Sequence, residues 1–275
     1  MPNPLAPLPP RLIATDLDGT LLQGDGTIST RTRCALIRVR AHGIPVVMVT
    51  GRPPRHVRQL AGTAQLAEVV ICMNGALTYD LDARQVLDET RLPASPAQAV
   101  VQALRRLFPE ICFAVEVGLA FGWEPRYGRE RGKVELSEFP AEDALVLCEG
   151  GVNKLIAFSS TRPLSELLAG TLAVVTGQAL VTTSGAPFLE ISALEANKAS
   201  ALARYCARLG VDRGNVWAFG DMPNDLAMLR WAGHSVAVAN AHPDVLGQVD
   251  EVTTSNDDHG VARVLERLVE RLDEA

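Results

Sequence analysis

Three times in this chain a short apolar run breaks off into a polar turn, and that pattern limits the fold more than any other feature. Residues 12–15 lead into Asp16-Leu17-Asp18-Gly19-Thr20, and residues 46–49 lead into Thr50-Gly51-Arg52. Residues 216–219 lead into Gly220-Asp221-Met222-Pro223-Asn224-Asp225. Runs of this length and apolarity are the signature of fully buried strands. Between the first two, Ser29 is placed to cap a helix over 30–41 and Gly43 to end it. Pro53-Pro54 then opens another helix, and residues 69–73 read as a third strand. Strand-helix-strand-helix-strand order predicts an α/β, doubly wound parallel sheet. Such sheets bind ligands beyond the carboxyl ends of their strands, which is where all three polar turns fall.

The first turn carries the most chemistry. Two carboxylates two residues apart at a strand end can converge, and they repel unless a proton or a cation sits between them. Gly19 lets the backbone turn and brings amides close to an anion. An acidic turn after a strand is also common without any chemistry. The reaction that uses a carboxylate nucleophile, a second carboxyl for proton transfer and a hard cation is phosphoryl transfer through an aspartyl-phosphate.

With Lys198 at the head of a helix-like run over 199–209, the four segments in this order resemble the haloacid dehalogenase superfamily of phosphohydrolases. More narrowly they are similar to its Cof-type, class IIB branch. The resemblance spans about residues 11–265 and includes Gly24-Asp25-Gly26-Thr27-Ile28-Ser29, Asn74-Gly75-Ala76, Leu189-Glu190-Ile191 and Gly260-Val261-Ala262. It implies a Rossmann-like core interrupted by an α+β class II cap. It makes Asp16 the nucleophile and Asp18 the general acid and base. Mg²⁺ would be held by Asp16, the backbone carbonyl of Asp18, and Asp221, with Asp225 as a direct or supporting carboxylate and Asn224 as a neutral partner. Asp221 and Asp225 are equally acids favoured at a helix N-terminus, a role compatible with the first. Thr50 would offer its hydroxyl, and Thr50 and Gly51 their amides, to a phosphate oxygen. Lys198 would meet the charge on the transferring group. Arg52 either reaches substrate or pairs with an acid, and Asn74 either faces the cleft or only forms a turn. Where the family often has glycine after the lysine, this chain has Ala199.

Composition agrees with these expectations and narrows the partners. Hydrophobic residues make up 47% and charged residues 21% of the 275, as in a globular protein. A net charge of −6 argues against nucleic acid as the main partner. No apolar run reaches the roughly 18 residues of a membrane span. Five scattered cysteines without CxxC spacing read as core residues in a reducing cytoplasm. Lysine occurs only at 133, 154 and 198, which favours a specific role for Lys198, whereas Lys154 reads as a solvent-facing strand residue.

The expected organisation is a flexible proline-rich lead-in over 1–10, a core over 11–91 and 188–275, and an inserted cap over 92–187. The expected function is Mg²⁺-dependent hydrolysis of a small phosphorylated metabolite. The alternatives are a phosphomutase of phosphorylated sugars and a catalytically idle binding protein. On this resemblance the core turns would all recognise phosphate, so discrimination among substrates is expected to fall to the insertion. Nothing in the sequence fixes the oligomeric state.

Overall fold

The computed structural model describes residues 7–60, 65–131, 141–175 and 177–274. The chain divides into two compact units, one of residues 1–85 and 198–275 and one of residues 86–197.

The first unit opens with β1 (Leu12–Thr15), then α1 (Thr30–Ala41), β2 (Val46–Val49), α2 (Pro54–Gln59) and β3 (Val69–Cys72). The hairpin strand β4 (Leu77–Asp80) follows, and β5 (Gln85–Glu89) lies across the division of the chain. The second unit holds α3 (Ala94–Leu107), β6 (Cys112–Val117), β7 (Ala120–Trp123), α4 (Pro125–Arg131) and α5 (Ala144–Leu147). It continues with β8 (Lys154–Phe158), α6 (Leu164–Val175), β9 (Leu180–Thr182) and β10 (Leu189–Ser192). The chain then returns to the first unit with α7 (Lys198–Leu209), β11 (Val216–Gly220), α8 (Leu226–Trp231) and β12 (His234–Ala237). α9 (Pro243–Leu246), β13 (Glu251–Val252) and α10 (Gly260–Asp273) complete it.

In the first unit the strands run β13-β12-β11-β1-β2-β3-β4. All neighbours are parallel except β3 and β4. β1, β2, β3 and β11 have every residue buried, as a parallel sheet covered on both faces requires. Ser29 caps α1 by accepting from the Thr32 amide, and Gly43, at φ +75°, turns the chain out of the helix. α1 packs on α10, joined at the surface by Arg31–Glu266 at 2.6 Å and Arg38–Asp273 at 2.9 Å.

The expected lead-in is tied down where the structure describes it. Residues 1–6 lie outside the described residues, but the Pro7 and Leu8 carbonyls accept from Arg271 and from the Trp217 indole. These contacts hold residues 7–8 to the first unit.

The second unit is a separate five-stranded sheet, β7-β6-β8-β10-β9, antiparallel throughout. α3 packs against both α5 and α6, with α5 against β6 and β7 and α6 against β9 and β10. Phe121, Trp123, Tyr127 and Phe158 form an aromatic cluster with Cys112, Ala114 and Ile156. The insertion therefore runs over 86–197, longer at both ends than the expected 92–187. At its far end the reason is β10, which pairs with β8 and β9 and so belongs to this sheet. A short apolar run shows that it is a strand and not which sheet it joins.

Lys154 also differs from expectation. It is 3% exposed and ion-paired with Glu190, itself 3% exposed. Lone charges in alternating strands usually face water, and here a carboxylate on β10, 36 positions away in sequence, supplies the compensation that permits burial. Lys133 and the polar stretch over 132–140 lie outside the described residues.

Candidate active site

Four parallel neighbours, β11, β1, β2 and β3, deliver the polar turns side by side. Asp16 follows β1, Thr50 follows β2, Asn74 follows β3 and Asp221 follows β11. The Asp16 amide still donates to the Phe219 carbonyl at 3.0 Å, so the nucleophile candidate is fixed by the last rung of the β1–β11 ladder.

Lys198 is the hub. It is the first residue of α7 and 1% exposed, and its Nζ donates to Asp16 Oδ1 at 2.5 Å and to Asp225 Oδ1 at 2.6 Å. Asp16 Oδ2 has no hydrogen-bond partner among the described residues. Asp225 is fully occupied, because its Oδ2 accepts the amides of Asp221 at 3.1 Å and Met222 at 3.0 Å. Gly220 makes this turn possible, since a Cβ there would lie 2.7 Å from that of Asp225.

Asp221 lies against the turn that follows β1. Thr20 Oγ1 donates to Asp221 Oδ1 at 2.6 Å. At Gly19, φ is +81°, and a Cβ would sit 2.4 Å from Asp221 Oδ2. Glycine is required there both for the backbone angle and for the approach of the carboxylate.

Burial dominates the electrostatics. It raises the Asp16 carboxyl well above its ordinary value; Lys198 counters this, and Asp225 and Asp221 add to it. Asp221 is pushed up to about 6, again chiefly by burial, with the Thr20 hydrogen bond opposing. Burial alone would lower the Lys198 ammonium, but the carboxylates of Asp16 and Asp225 hold it above its usual range. Three buried carboxylates with ligand atoms within 4.8 Å of one another thus lie around the Lys198 ammonium, the one lysine there among the described residues. Their oxygens are a hard donor set with excess negative charge, which suits a small hard dication such as Mg²⁺.

Asp18 points elsewhere. Its carboxylate takes a two-pronged ion pair from Arg52, Nε to Oδ2 at 2.8 Å and Nη2 to Oδ1 at 2.5 Å. Of the two roles open to Arg52 in the sequence, the geometry shows the pairing with an acid.

Thr50 departs from expectation in one respect. Its amide donates to the Ile71 carbonyl at 2.8 Å, so the sheet consumes the N–H assigned to phosphate. Its hydroxyl oxygen accepts from the Arg52 amide at 3.1 Å, which leaves the hydroxyl proton as what it can offer to an anion. Gly51 stands between them in the turn. Asn74 is both turn-former and site neighbour. It is 4% exposed at φ +57°, and its Oδ1 accepts from Asn224 Nδ2 at 3.2 Å. Asn224 Oδ1 is buried with no partner among the described residues.

The structure thus brings together Asp16, Asp221, Asp225 and Lys198, pairs Asp18 with Arg52, and pairs Asn74 with Asn224. Sequence reasoning missed Thr20 as the support of Asp221. The signal available was a hydroxyl immediately after the glycine of an acidic turn.

Comparison with known proteins follows the same lines. The family of haloacid dehalogenase-like hydrolases matches residues 13–265. The putative phosphatase YxeH of Bacillus subtilis is 30% identical, over 94% of this chain and 98% of its own. The 5-amino-6-(5-phospho-D-ribitylamino)uracil phosphatase YcsE of the same organism is also 30% identical, over 94% and 96%. Among solved structures, the subclass IIB sugar phosphatase BT4131 superposes with a TM-score of 0.79 over 93% of this chain and 98% of that one, at 20% identity.

Proposed function

Because the chain belongs to the haloacid dehalogenase-like hydrolases and is a phosphatase, we propose that it is of their Cof-type, class IIB branch and hydrolyses a small phosphorylated metabolite through an aspartyl-phosphate on Asp16, with Mg²⁺ bound. The observation that carries this reading is the buried Lys198 ammonium on one oxygen of Asp16, with the other oxygen left unengaged among the described residues.

The carboxylates of Asp16 and Asp221, with the backbone carbonyl of Asp18, would hold the ion. Bound there, Mg²⁺ neutralises charge on the phosphoryl oxygens. Asp225 acts as support, because direct ligation would break its bond to Lys198 or to the backbone amides. Asp16 Oδ2 attacks phosphorus while the Asp18 carboxyl protonates the departing oxygen. The Asp18 carboxylate then removes a proton from water, which attacks the same phosphorus and frees Asp16. Lys198 and the Thr50 hydroxyl meet the negative oxygens of the transferring group. Arg52 fixes where the Asp18 carboxylate points. Asn74 and Asn224 offer amide groups to the substrate. Relatives named for a ribitylaminouracil phosphate and for sugar phosphates support a sugar- or cofactor-phosphate as substrate class. Four of the five free cysteines are buried, in keeping with a reducing cytoplasm.

The test is phosphate release from a panel of phosphorylated sugars and cofactors, with Mg²⁺ and after exhaustive chelation. Release from at least one substrate, abolished by chelation and restored by Mg²⁺, is the expected result; undiminished turnover after chelation would overturn the metal assignment.

A pH dependence follows from Asp221. Its carboxyl rises from 3.8 to about 6 on folding, so the folded protein holds this proton more tightly than the unfolded chain. The stability from that proton is complete below 3.8 and is lost as pH climbs through about 6. Mg²⁺ competes with the same proton. The rise in melting temperature caused by Mg²⁺ should be small at about pH 5 and grow through about pH 6 to 7.5. A Mg²⁺-induced rise that is the same at every pH would remove Asp221 from the ligand set.

A further inference from the structure

The loop bearing Asp18 and Thr20 is fastened by residues that lie more than two hundred positions away in sequence. Asn240, in the turn after β12, donates from Nδ2 to the Gly19 carbonyl at 2.8 Å. Its Oδ1 accepts the Asn256 amide at 2.9 Å. A carbonyl needs a donor and an amide needs an acceptor, so these two contacts fix which end of the Asn240 side chain faces which. Asn256 in turn donates from Nδ2 to the Leu22 carbonyl at 2.8 Å. One residue on, Asp257 Oδ1 accepts the Gly24 amide at 2.7 Å. The turn that carries Asn240 also reaches the other side of the site, where the His242 amide donates to the Asp221 carbonyl at 2.8 Å.

Residues 240–242 therefore hold both Gly19 and the Asp221 backbone. These are the two points whose separation decides whether Thr20 meets the Asp221 carboxylate at 2.6 Å. The closeness of Asp221 Oδ2 to Gly19 shows how little slack this arrangement has. Asn240 itself is exposed, so it adds little to the core. A polar side chain that contributes little burial yet satisfies two backbone groups around a catalytic loop is a brace.

The geometry points to Asn240 as a positioning residue that, seconded by Asn256, sets the distance between the Asp18–Thr20 loop and Asp221 and so tunes both Mg²⁺ binding and turnover. The inference rests on the proposed Mg²⁺-dependent phosphatase reading. Supports one step removed from metal ligands typically account for about 10–100-fold in affinity or activity, and Asn240 should fall in that range.

The test compares the unaltered protein with Asn240→Ala, Asn240→Asp and Asn256→Ala. Asn240→Asp keeps an acceptor for the Asn256 amide and loses the donor to Gly19, so it isolates the second contact. Mg²⁺ binding is measured by calorimetry without substrate, kcat and KM with saturating Mg²⁺, and melting temperature without metal. For Asn240→Ala and Asn240→Asp the Mg²⁺ dissociation constant should rise, and kcat fall, by roughly tenfold or more. KM should stay within about threefold and the melting temperature within a few degrees. Asn256→Ala should act in the same direction, and its combination with Asn240→Ala should be less than additive. If Asn240→Asp matches the unaltered protein in Mg²⁺ affinity and kcat, the brace is refuted. A loss of melting temperature without change in either quantity refutes it as well. If the unaltered protein itself neither binds Mg²⁺ nor needs it, the underlying phosphatase reading fails first, and that result is separate from any variant.

Discussion

Asp16→Asn should lower steady-state phosphate release by at least about 10⁴-fold, as removal of a covalent nucleophile does. An amide oxygen is too weak a nucleophile to take a phosphoryl group, and no neighbour replaces it. Asp18 is turned toward Arg52, and both Asp225 oxygens are occupied. Unfolding would not explain the loss. Burial, Asp225 and Asp221 all disfavour ionised Asp16, so a neutral side chain of the same shape relieves repulsion, and Lys198 keeps Asp225. The melting temperature without metal should be unchanged or higher. Asp18→Asn should differ in kind. Nitrophenyl phosphate, whose leaving group needs no proton, should give a burst of nitrophenolate equal to the enzyme present, followed by slow phosphate release, because attack survives and the base for hydrolysis is missing. If Asp16→Asn kept most of its activity, the covalent route would be wrong.

The residues behind that prediction were readable from sequence because the site is built on strand ends. Each apolar run specifies a buried parallel strand, and the next residue must then emerge at the carboxyl edge. Adjacent strands thus bring Asp16, Thr50 and Asp221 together with no knowledge of distances. Lys198 needed more, since a helix start can face many ways; its scarcity as a residue type and the family resemblance supplied the rest. Hidden from sequence was the state of each donor. Nothing in Thr50-Gly51-Arg52 tells that the Thr50 amide closes a rung on Ile71, because register is a property of two strands. Nor does an asparagine ahead of a proline-started helix announce that it reaches Gly19, 221 positions away. The expected boundary at 187 leaves β10 outside the insertion for the same reason: pairing is settled by partners and not by propensity.

Lys198→Met and Lys154→Met make the sharpest comparison in the chain. Both lysines are buried against carboxylates, Lys198 at 1% exposure with Asp16 and Asp225 and Lys154 at 3% with Glu190. Removing one partner of a buried pair leaves a charge without compensation and destabilises by about 3–5 kcal/mol. Both variants should therefore melt at lower temperature by similar amounts. Their activities should part. Only Lys198 touches the nucleophile candidate, and loss of a preorganised positive donor at a transferring group lowers turnover on the order of 10²–10³-fold. Per folded molecule, Lys154→Met should stay within about threefold of the unaltered protein. Metal separates them again. Lys198→Met removes the ammonium that compensates Asp16 and Asp225 beside Asp221, so added Mg²⁺ should recover more stability there than in the unaltered protein. In Lys154→Met the carboxylate that loses its lysine is Glu190, in the other unit, and Mg²⁺ should give no additional recovery. Equal losses of turnover at the two positions would mean that the ammonium on Asp16 is a structural counter-ion, and that the charge on the transferring phosphoryl group is met by another residue.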